Sequence, residues 1–390
     1  MQGVARKVEF YRHSLTDEDI AEVADALRGV FLTTGPRTAA FETALANYLG
    51  IGEAVGLSSC TDALFLCLKA LGAGAAHGDE VITVPMTFIA TPNTILQAGA
   101  VPVFVDVERD TGNIDVDAVE RAITPRTRGV MPVHLYGTMV DMTRLADLCR
   151  RRGLFLIEDA AHTLEATRDG VRPGELGDAV CFSFYATKNL TCGEGGAVAT
   201  NNPEIARIVR MLRQHGMSKS AAERYTGRYQ HWDMVDLGYK ANMSDIQAAL
   251  LIKQLPRLAA QLDRREAIAR RYEEAFADMP GIQFPRVPRT ARSARHLFTI
   301  WVPPEHRDET VWQLQEDGIG VAVNYRAVHL LTYYRERYGF SRGAFPIAER
   351  IGDSTITLPL YPKMLDEDVE AVVAAVRRVA AKWPRANGAQ

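Results

Sequence analysis

The segment LFLIEDAAHTLEATRDGVRPGELGDAVCFSFYATKNLTCGEGGAVAT (154–200) decides the architecture. Three short β-rich runs lie along it: LFLIEDA (154–160), AVCFSFY (179–185) and GAVATN (196–201). Several of the β-rich runs here and upstream are apolar nearly throughout, the pattern of strands buried on both faces. The last two are close together and are expected to pair near a sheet edge. Upstream, AVGLSS (54–59), EVITVP (80–85), VPVFVDV (101–107) and GVMPVHLY (129–136) read the same way. Helical patterns stand between many of these runs, among them TDALFLCLKALGA (61–73) and TRLADLCRRRG (143–153). In the first, Ala63, Leu64, Cys67, Leu68 and Leu71 recur at helical spacing. Strands alternating with helices predict an α/β domain, its sheet mostly parallel and flanked by helices.

Downstream of Asn242 the pattern turns to long helix, SDIQAALLIKQL (244–255) and then PRLAAQLDRREAIARRYEEAFADMP (256–280). Pro256 suits a first helical turn and marks a bend. A smaller unit follows: strand HLFTIWV (296–302), helix DETVWQLQEDG (308–318), strand VAVNY (321–325), strand TITLP (355–359) and helix EDVEAVVAAVRRVAAKW (367–383). The expected division is 1–255, a large domain with the N-terminal segment included, and 256–390, a linker helix with a small C-terminal α/β domain.

Composition narrows the function. The 390 residues are 47% hydrophobic and 24% charged, ordinary for a globular protein. A net charge of -3 offers nothing to nucleic acid, and the Arg264–Arg265 pair reads as a solvated helix face. Five cysteines without CxxC spacing read as free thiols, and no metal site is assigned. The N-terminal MQGVARKVEFYRHSL lacks a signal-peptide core, and no apolar run is of membrane-spanning length. The expectation is a cytoplasmic protein.

In open α/β sheets ligands bind outside the carboxyl ends of the strands. Three such ends carry chemistry here. The first strand runs into Ser58-Ser59-Cys60-Thr61-Asp62, hydroxyls and backbone N–H groups at a helix start, which suits an anion. LFLIEDA delivers Asp159, with His162 three positions on. AVCFSFY delivers Ser183 and, just beyond, Lys188 beside the glycine-rich CGEGG (192–196). Taken alone, the aspartate would be an Asx turn or helix cap, the lysine a surface lysine and the serine turn an N-cap. In this order on one rim they match what pyridoxal 5'-phosphate (PLP) requires: a phosphate site, a carboxylate for the pyridine nitrogen and an amine for the aldehyde. A nicotinamide enzyme is the weaker alternative, because no GxGxxG follows the first strand.

Seven segments then match a known family in order: TTGPRTAAFETALANYLG (33–50), SSCTDAL (58–64), DEVITVPMTFIATPNTILQAGAVPVFVDV (79–107), IEDAAHTLEA (157–166), GDAVCFSFYATKNLTCGEGGAVAT (177–200), GYKANMSDIQAAL (238–250) and ITLPLYP (356–362). The chain resembles the DegT/DnrJ/EryC1/StrS family, PLP-dependent sugar aminotransferases with the aspartate aminotransferase fold. The resemblance implies that Lys188 carries PLP as a Schiff base and acts as general base, and that Asp159 holds the ring nitrogen. It implies that Phe88 stacks on the ring and that His162 approaches the phenolic oxygen or the substrate. Cys60, Thr61 and Ser183 become phosphate contacts, and Asn242 reaches the phosphate of a neighbouring subunit, so that a homodimer carries its active sites at the interface. Lys240, Arg326 and His329 become candidates for the substrate's diphosphate. Relatives that dehydrate sugars carry His at the Schiff-base position, whereas this chain has Lys188.

The implied reaction moves an amino group from L-glutamate, through pyridoxamine 5'-phosphate, to a ketosugar linked to a nucleotide diphosphate. Lys240 with Asn242, where many relatives have Asn and Arg, resembles relatives acting on 4-keto sugars of uridine diphosphate. Glu165 stands where relatives have a small residue, and the sequence assigns it no role. Another PLP reaction in the same fold, or a non-catalytic regulatory protein, are the remaining alternatives; intact Lys188 and Asp159 weigh against the second.

Overall fold

The computed structural model describes residues 6–218 and 231–383. Seven strands build the main sheet: β1 Glu53–Leu57, β2 Glu80–Thr83, β3 Val101–Phe104, β4 Thr127–Val130, β5 Phe155–Asp159, β7 Ala179–Ser183 and β8 Gly196–Thr200. A minor pair, β6 Thr167–Arg168 with β9 Ala291–Arg292, lies apart from it. The main sheet has the order β1-β8-β7-β5-β4-β2-β3. Only β8 is reversed, pairing antiparallel with both β1 and β7. The two strands expected to pair near an edge do so, with β1 outside them.

Helices cover both faces. They are α1 Asp17–Arg28, α2 Pro36–Leu49, α3 Cys60–Ala70, α4 Ala90–Ala98, α5 Val116–Ala122, α6 Met142–Arg152, α7 Pro203–Leu212 and α8 Asp245–Ile252. Side chains alternate along each strand, so one run feeds two cores. Cys181, Val198 and Ile157 join Leu64, Leu68 and Val209 of α3 and α7. Their neighbours Val180, Phe182, Ala197 and Ala199 join Phe41, Leu45 and Leu251 of α2 and α8. Leu156 and Val130 join Leu145 and Leu148 of α6. Burial on both faces is why these strands read as apolar throughout.

A second core gathers downstream. It is formed by α9 Leu258–Phe276, α10 Arg307–Glu316 and α13 Asp366–Ala380 with β10 Phe298–Trp301 and β11 Thr355–Leu358, the two strands pairing antiparallel, whereas α11 Thr332–Tyr338 packs Tyr334 near Phe104 and α12 Pro346–Ser354 sends Ala348 and Ile351 into the core beneath α6. Tyr272, Phe276, Ile300, Leu314, Ile356 and Val372 fill it. Pro256 lies in a 3-10 turn, Leu255–Arg257, between α8 and α9. Among the described residues no helix is long and apolar enough to cross a membrane.

Three expectations need correction. Val321–Tyr325 is not a strand; only Ala322 bridges Thr357. The GVMPVHLY run stops pairing regularly at Val130, because Pro132 has no N–H to donate and Leu135–Gly137 turns as a 3-10 helix. Arg265 is not on a solvated face. It is 2% exposed and paired with Glu165, while Arg264, one position away and therefore rotated about 100° around α9, pairs with exposed Asp366.

β1, β5 and β7 run in one direction, so their carboxyl ends share one rim. Reversed β8 starts at that rim with Gly196, packed against the turn that opens α3. A Cβ at Gly196 would stand 2.3 Å from the Ser59 carbonyl carbon and 2.4 Å from the Cys60 nitrogen. Gly196→Ala is therefore expected to cost about 1–3 kcal/mol of stability, read as a lowered denaturation midpoint; an unchanged midpoint would show that this turn yields freely.

Candidate active site

Asp159 ends β5 with 5% of its surface exposed. Its Oδ2 accepts from Thr91 Oγ1 at 2.7 Å and its Oδ1 from the Ala161 N–H at 3.2 Å. Burial raises its pKa, against the lowering pull of those two hydrogen bonds and of Lys188. Behind it, His134 Nε2 meets the buried Glu158 carboxylate at 2.8 Å, and the His134 N–H donates to the Asp159 carbonyl at 3.0 Å. The strand end is thus fixed from within the protein while the carboxylate faces the rim.

Lys188 follows β7, held in a tight turn by its N–H to Tyr185 O bond at 2.9 Å. Burial lowers its amine to about 8, with Cys60 and Asp159 pulling the other way. Cys60, Asp159 and Lys188 stand at or beyond the carboxyl ends of β1, β5 and β7, which share one rim. His162 belongs to the same group; burial and then the Lys188 charge push its pKa well down, so its ring is neutral. Its Nδ1 faces the Tyr136 N–H at 3.2 Å and must accept, so the ring proton sits on Nε2, 3.2 Å from the Tyr325 hydroxyl.

The turn before α3 has the expected form. Ser59 is the N-cap, its hydroxyl accepting the Asp62 N–H at 3.0 Å and donating to the Asp62 carboxylate at 2.8 Å. Cys60 and Thr61 are the first two residues of the helix, where backbone N–H groups lack intrahelical acceptors. Ser183 Oγ, at the end of β7, accepts from the Tyr185 N–H at 3.3 Å. Phe88 is 55% exposed, its ring 5.9 Å from that of Tyr325.

The outer candidates divide. Lys240 Nζ donates to Asn242 Oδ1 at 2.6 Å, and Asn242 Nδ2 donates to Thr34 Oγ1 at 2.7 Å. Asn242 also bridges Leu57, the last residue of β1. Arg326 is exposed. His329 is not brought to the rim: it is fully buried, 3.0 Å from Glu349 and packed edge-on to Phe345. It serves the packing of the segment before α11 and is corrected as a diphosphate ligand.

Two residues of the site escaped sequence reasoning. Tyr325 bridges Phe88 and His162. His296, 4% exposed, lies 3.4 Å from Lys188 Nζ through its Nε2. Its ring is 4.5 Å from that of His162, and burial followed by the Lys188 charge pushes its pKa well down. Both come from segments read only as strands, VAVNY and HLFTIWV, and neither has a local pattern that marks it.

The chain matches the family model described as the DegT/DnrJ/EryC1/StrS aminotransferase family over residues 13–377. It is 43% identical to the spore coat polysaccharide biosynthesis protein SpsC of Bacillus subtilis, over 96% of this chain and 98% of that one. It is similar to the PLP-form of the putative sugar aminotransferase Spr1654 from Streptococcus pneumoniae, with TM-score 0.89, 34% identity and 97% and 99% of the two chains covered. It is also similar to DesI, solved in the presence of its TDP-sugar product, with TM-score 0.85, 30% identity and 97% and 94% covered.

The lowered amine can be tested without any ligand. Trace labelling of the cofactor-free protein across pH, resolved by peptide mapping, is expected to give Lys188 a midpoint near 8. A Lys188 midpoint near the ordinary lysine value of about 10.4 would remove the argument for a desolvated amine.

Proposed function

Since the chain belongs to the DegT/DnrJ/EryC1/StrS aminotransferase family, we propose that it transfers an amino group from L-glutamate to a ketosugar linked to a nucleoside diphosphate, with the 4-keto position favoured over the 3-keto. It is a PLP-dependent sugar aminotransferase. The carrying observation is the meeting of a desolvated amine, Lys188, with a buried carboxylate, Asp159, that has no salt-bridge partner among the described residues.

The residues fit PLP on structural grounds. Asp159 is buried with one hydroxyl and one N–H for company, so a pyridinium N–H would complete it. The α3 turn offers backbone N–H groups to a phosphate, Thr61 lies in that turn, and Ser183 pairs with Gly196, which packs against it. Gly196 keeps the floor of that turn free of a side chain. Bound there, PLP supplies a carbonyl that receives the donor's nitrogen and a ring that takes up electrons from the reacting carbon.

The chain's residues do the rest. Asp159 keeps a proton on the ring nitrogen. Lys188, neutral for a substantial fraction of the time near pH 8, takes a proton from one reacting carbon and returns it to the other. Phe88, exposed at the rim, would cover a bound ring and keep water from it. His162, neutral and held through Tyr325 and Tyr136, presents a fixed polar edge beside Lys188.

DesI was solved with a TDP-sugar product, which supports a nucleotide-linked sugar here. Lys240 and Arg326 are exposed cations suited to a diphosphate. The paired Lys240 and Asn242 support the 4-keto assignment through the family resemblance, which also carries the glutamate donor. A homodimer is supported by the exposed apolar run Trp232, Met234, Val235 and Leu237 just before Asn242. In that reading Asn242 reaches the phosphate of the partner subunit.

Incubation with PLP, nitrogen-15 glutamate and a panel of uridine- and thymidine-linked ketosugars is expected to yield a nitrogen-15 aminosugar from a 4-keto substrate, read by mass spectrometry. Lys188→Ala should lose at least roughly 10²–10⁴-fold in rate, and Asp159→Asn on the order of 10²-fold. Absence of any labelled sugar from a PLP-loaded protein would sink this assignment. Near-normal turnover in Asp159→Asn would make that residue structural.

A further inference from the structure

Behind Lys188 the structure holds a buried polar chain that the reaction described above does not use. Glu165 is 8% exposed and ion-paired with Arg265. Its two oxygens accept from Asn189 Nδ2 at 3.2 and 3.1 Å, and Asn189 Nδ2 also lies 3.0 Å from the Ala294 carbonyl. Three acceptors around one nitrogen fix the orientation of the Asn189 amide, so that its Oδ1 faces the other way. That oxygen lies 3.3 Å from His296 Nδ1.

The consequence for the histidine follows from donor and acceptor counting. An amide oxygen only accepts, so Nδ1 of His296 carries the proton. The ring is neutral, because burial, Lys188, His162 and Arg265 all disfavour its cation. Nε2 therefore has a free lone pair, and it lies 3.4 Å from Lys188 Nζ, which can only donate to it.

We propose that His296 is a positioning residue for Lys188: its Nε2 lone pair, fixed by Asn189, Glu165 and Arg265, accepts a hydrogen bond from the lysine amine and aims it whenever that amine is free. The proposal rests on Lys188 being the cofactor lysine for its meaning, though not for its test. During turnover the amine must leave the cofactor and return. A long flexible side chain does this reproducibly only with a place to rest, and the His296 acceptor supplies it. The position of Glu165 also gains a purpose: it is the carboxylate that orients Asn189, and Arg265 neutralises it in the buried interior.

Among the described residues Cys60, Asp159, His162 and His296 interact with Lys188, and Tyr11, Arg12, Arg265 and Tyr361 line the cavity beside it. Only His296 is altered in the test, because Glu165→Gln would strand Arg265 as an uncompensated buried charge. The full cofactor-free chain is labelled with a trace of acetic anhydride across pH, and Lys188 is followed by peptide mapping in wild type, His296→Gln and His296→Phe. Gln keeps an acceptor and gives up the ring; Phe keeps the ring and gives up the acceptor. An acceptor favours the ammonium form, so His296→Phe is expected to lower the Lys188 midpoint by about one pH unit. His296→Gln should remain within a few tenths of a unit of wild type. If packing were the only role of His296, Phe would match wild type and Gln would not. That pattern, equal shifts in both variants, or no shift in either overturns the proposal. The readout needs no cofactor, so a failed PLP assignment and a failed His296 assignment are separately visible.

Discussion

A carboxylate sealed at the end of a central strand, with no salt-bridge partner among the described residues, is the constraint around which this molecule is arranged. Asp159 has one hydroxyl and one backbone N–H to satisfy it, and burial already raises its pKa. Such a group is costly to keep ionised in protein alone. It is kept in place by structure that does not relax to meet it. Its main-chain neighbours are locked through His134 and Glu158, and Thr91 is anchored in α4. On the proposed reading, a cationic ring nitrogen would complete the hydrogen bonding of this carboxylate.

The sheet topology converts this local demand into a complete site. Because β1, β5 and β7 are parallel, a helix N-terminus, a carboxylate and a lysine turn emerge on one rim. Because β8 alone is reversed, the glycine-rich connection returns to the same rim and ends in Gly196, against the anion turn. The second core contributes what this sheet lacks. Tyr325 and His296 come from that side of the chain and contact Phe88, His162 and Lys188. These contacts join the rim of the sheet to the downstream elements.

What could be read from the sequence follows the same division. The residues at strand ends, Asp159, Lys188, Ser183 and the Ser59–Thr61 turn, were legible because each continuous apolar run stops where its strand does. The apolar runs gave the parallel sheet and its edge pair. His296 and Tyr325 were not legible, since their importance arises from contacts with residues more than 100 positions away. His329 misled for the converse reason: a histidine near an arginine in a loop resembles a ligand, and only its burial against Glu349 and Phe345 shows otherwise. Arg265 and Glu165 each looked unremarkable or unexplained alone, and their pairing across the fold accounts for both.

The most direct measurement is to reduce the PLP-loaded protein with borohydride and map the modified peptide by mass spectrometry. Reduction fixes the cofactor to whichever amine carries it. This account predicts a pyridoxyl group on Lys188, in the peptide that contains Ala186 to Asn189, and none on other lysines at stoichiometric PLP. A pyridoxyl group on a different lysine, or on none, would contradict it, because the Asp159 carboxylate and the anion turn would then have no amine to work with.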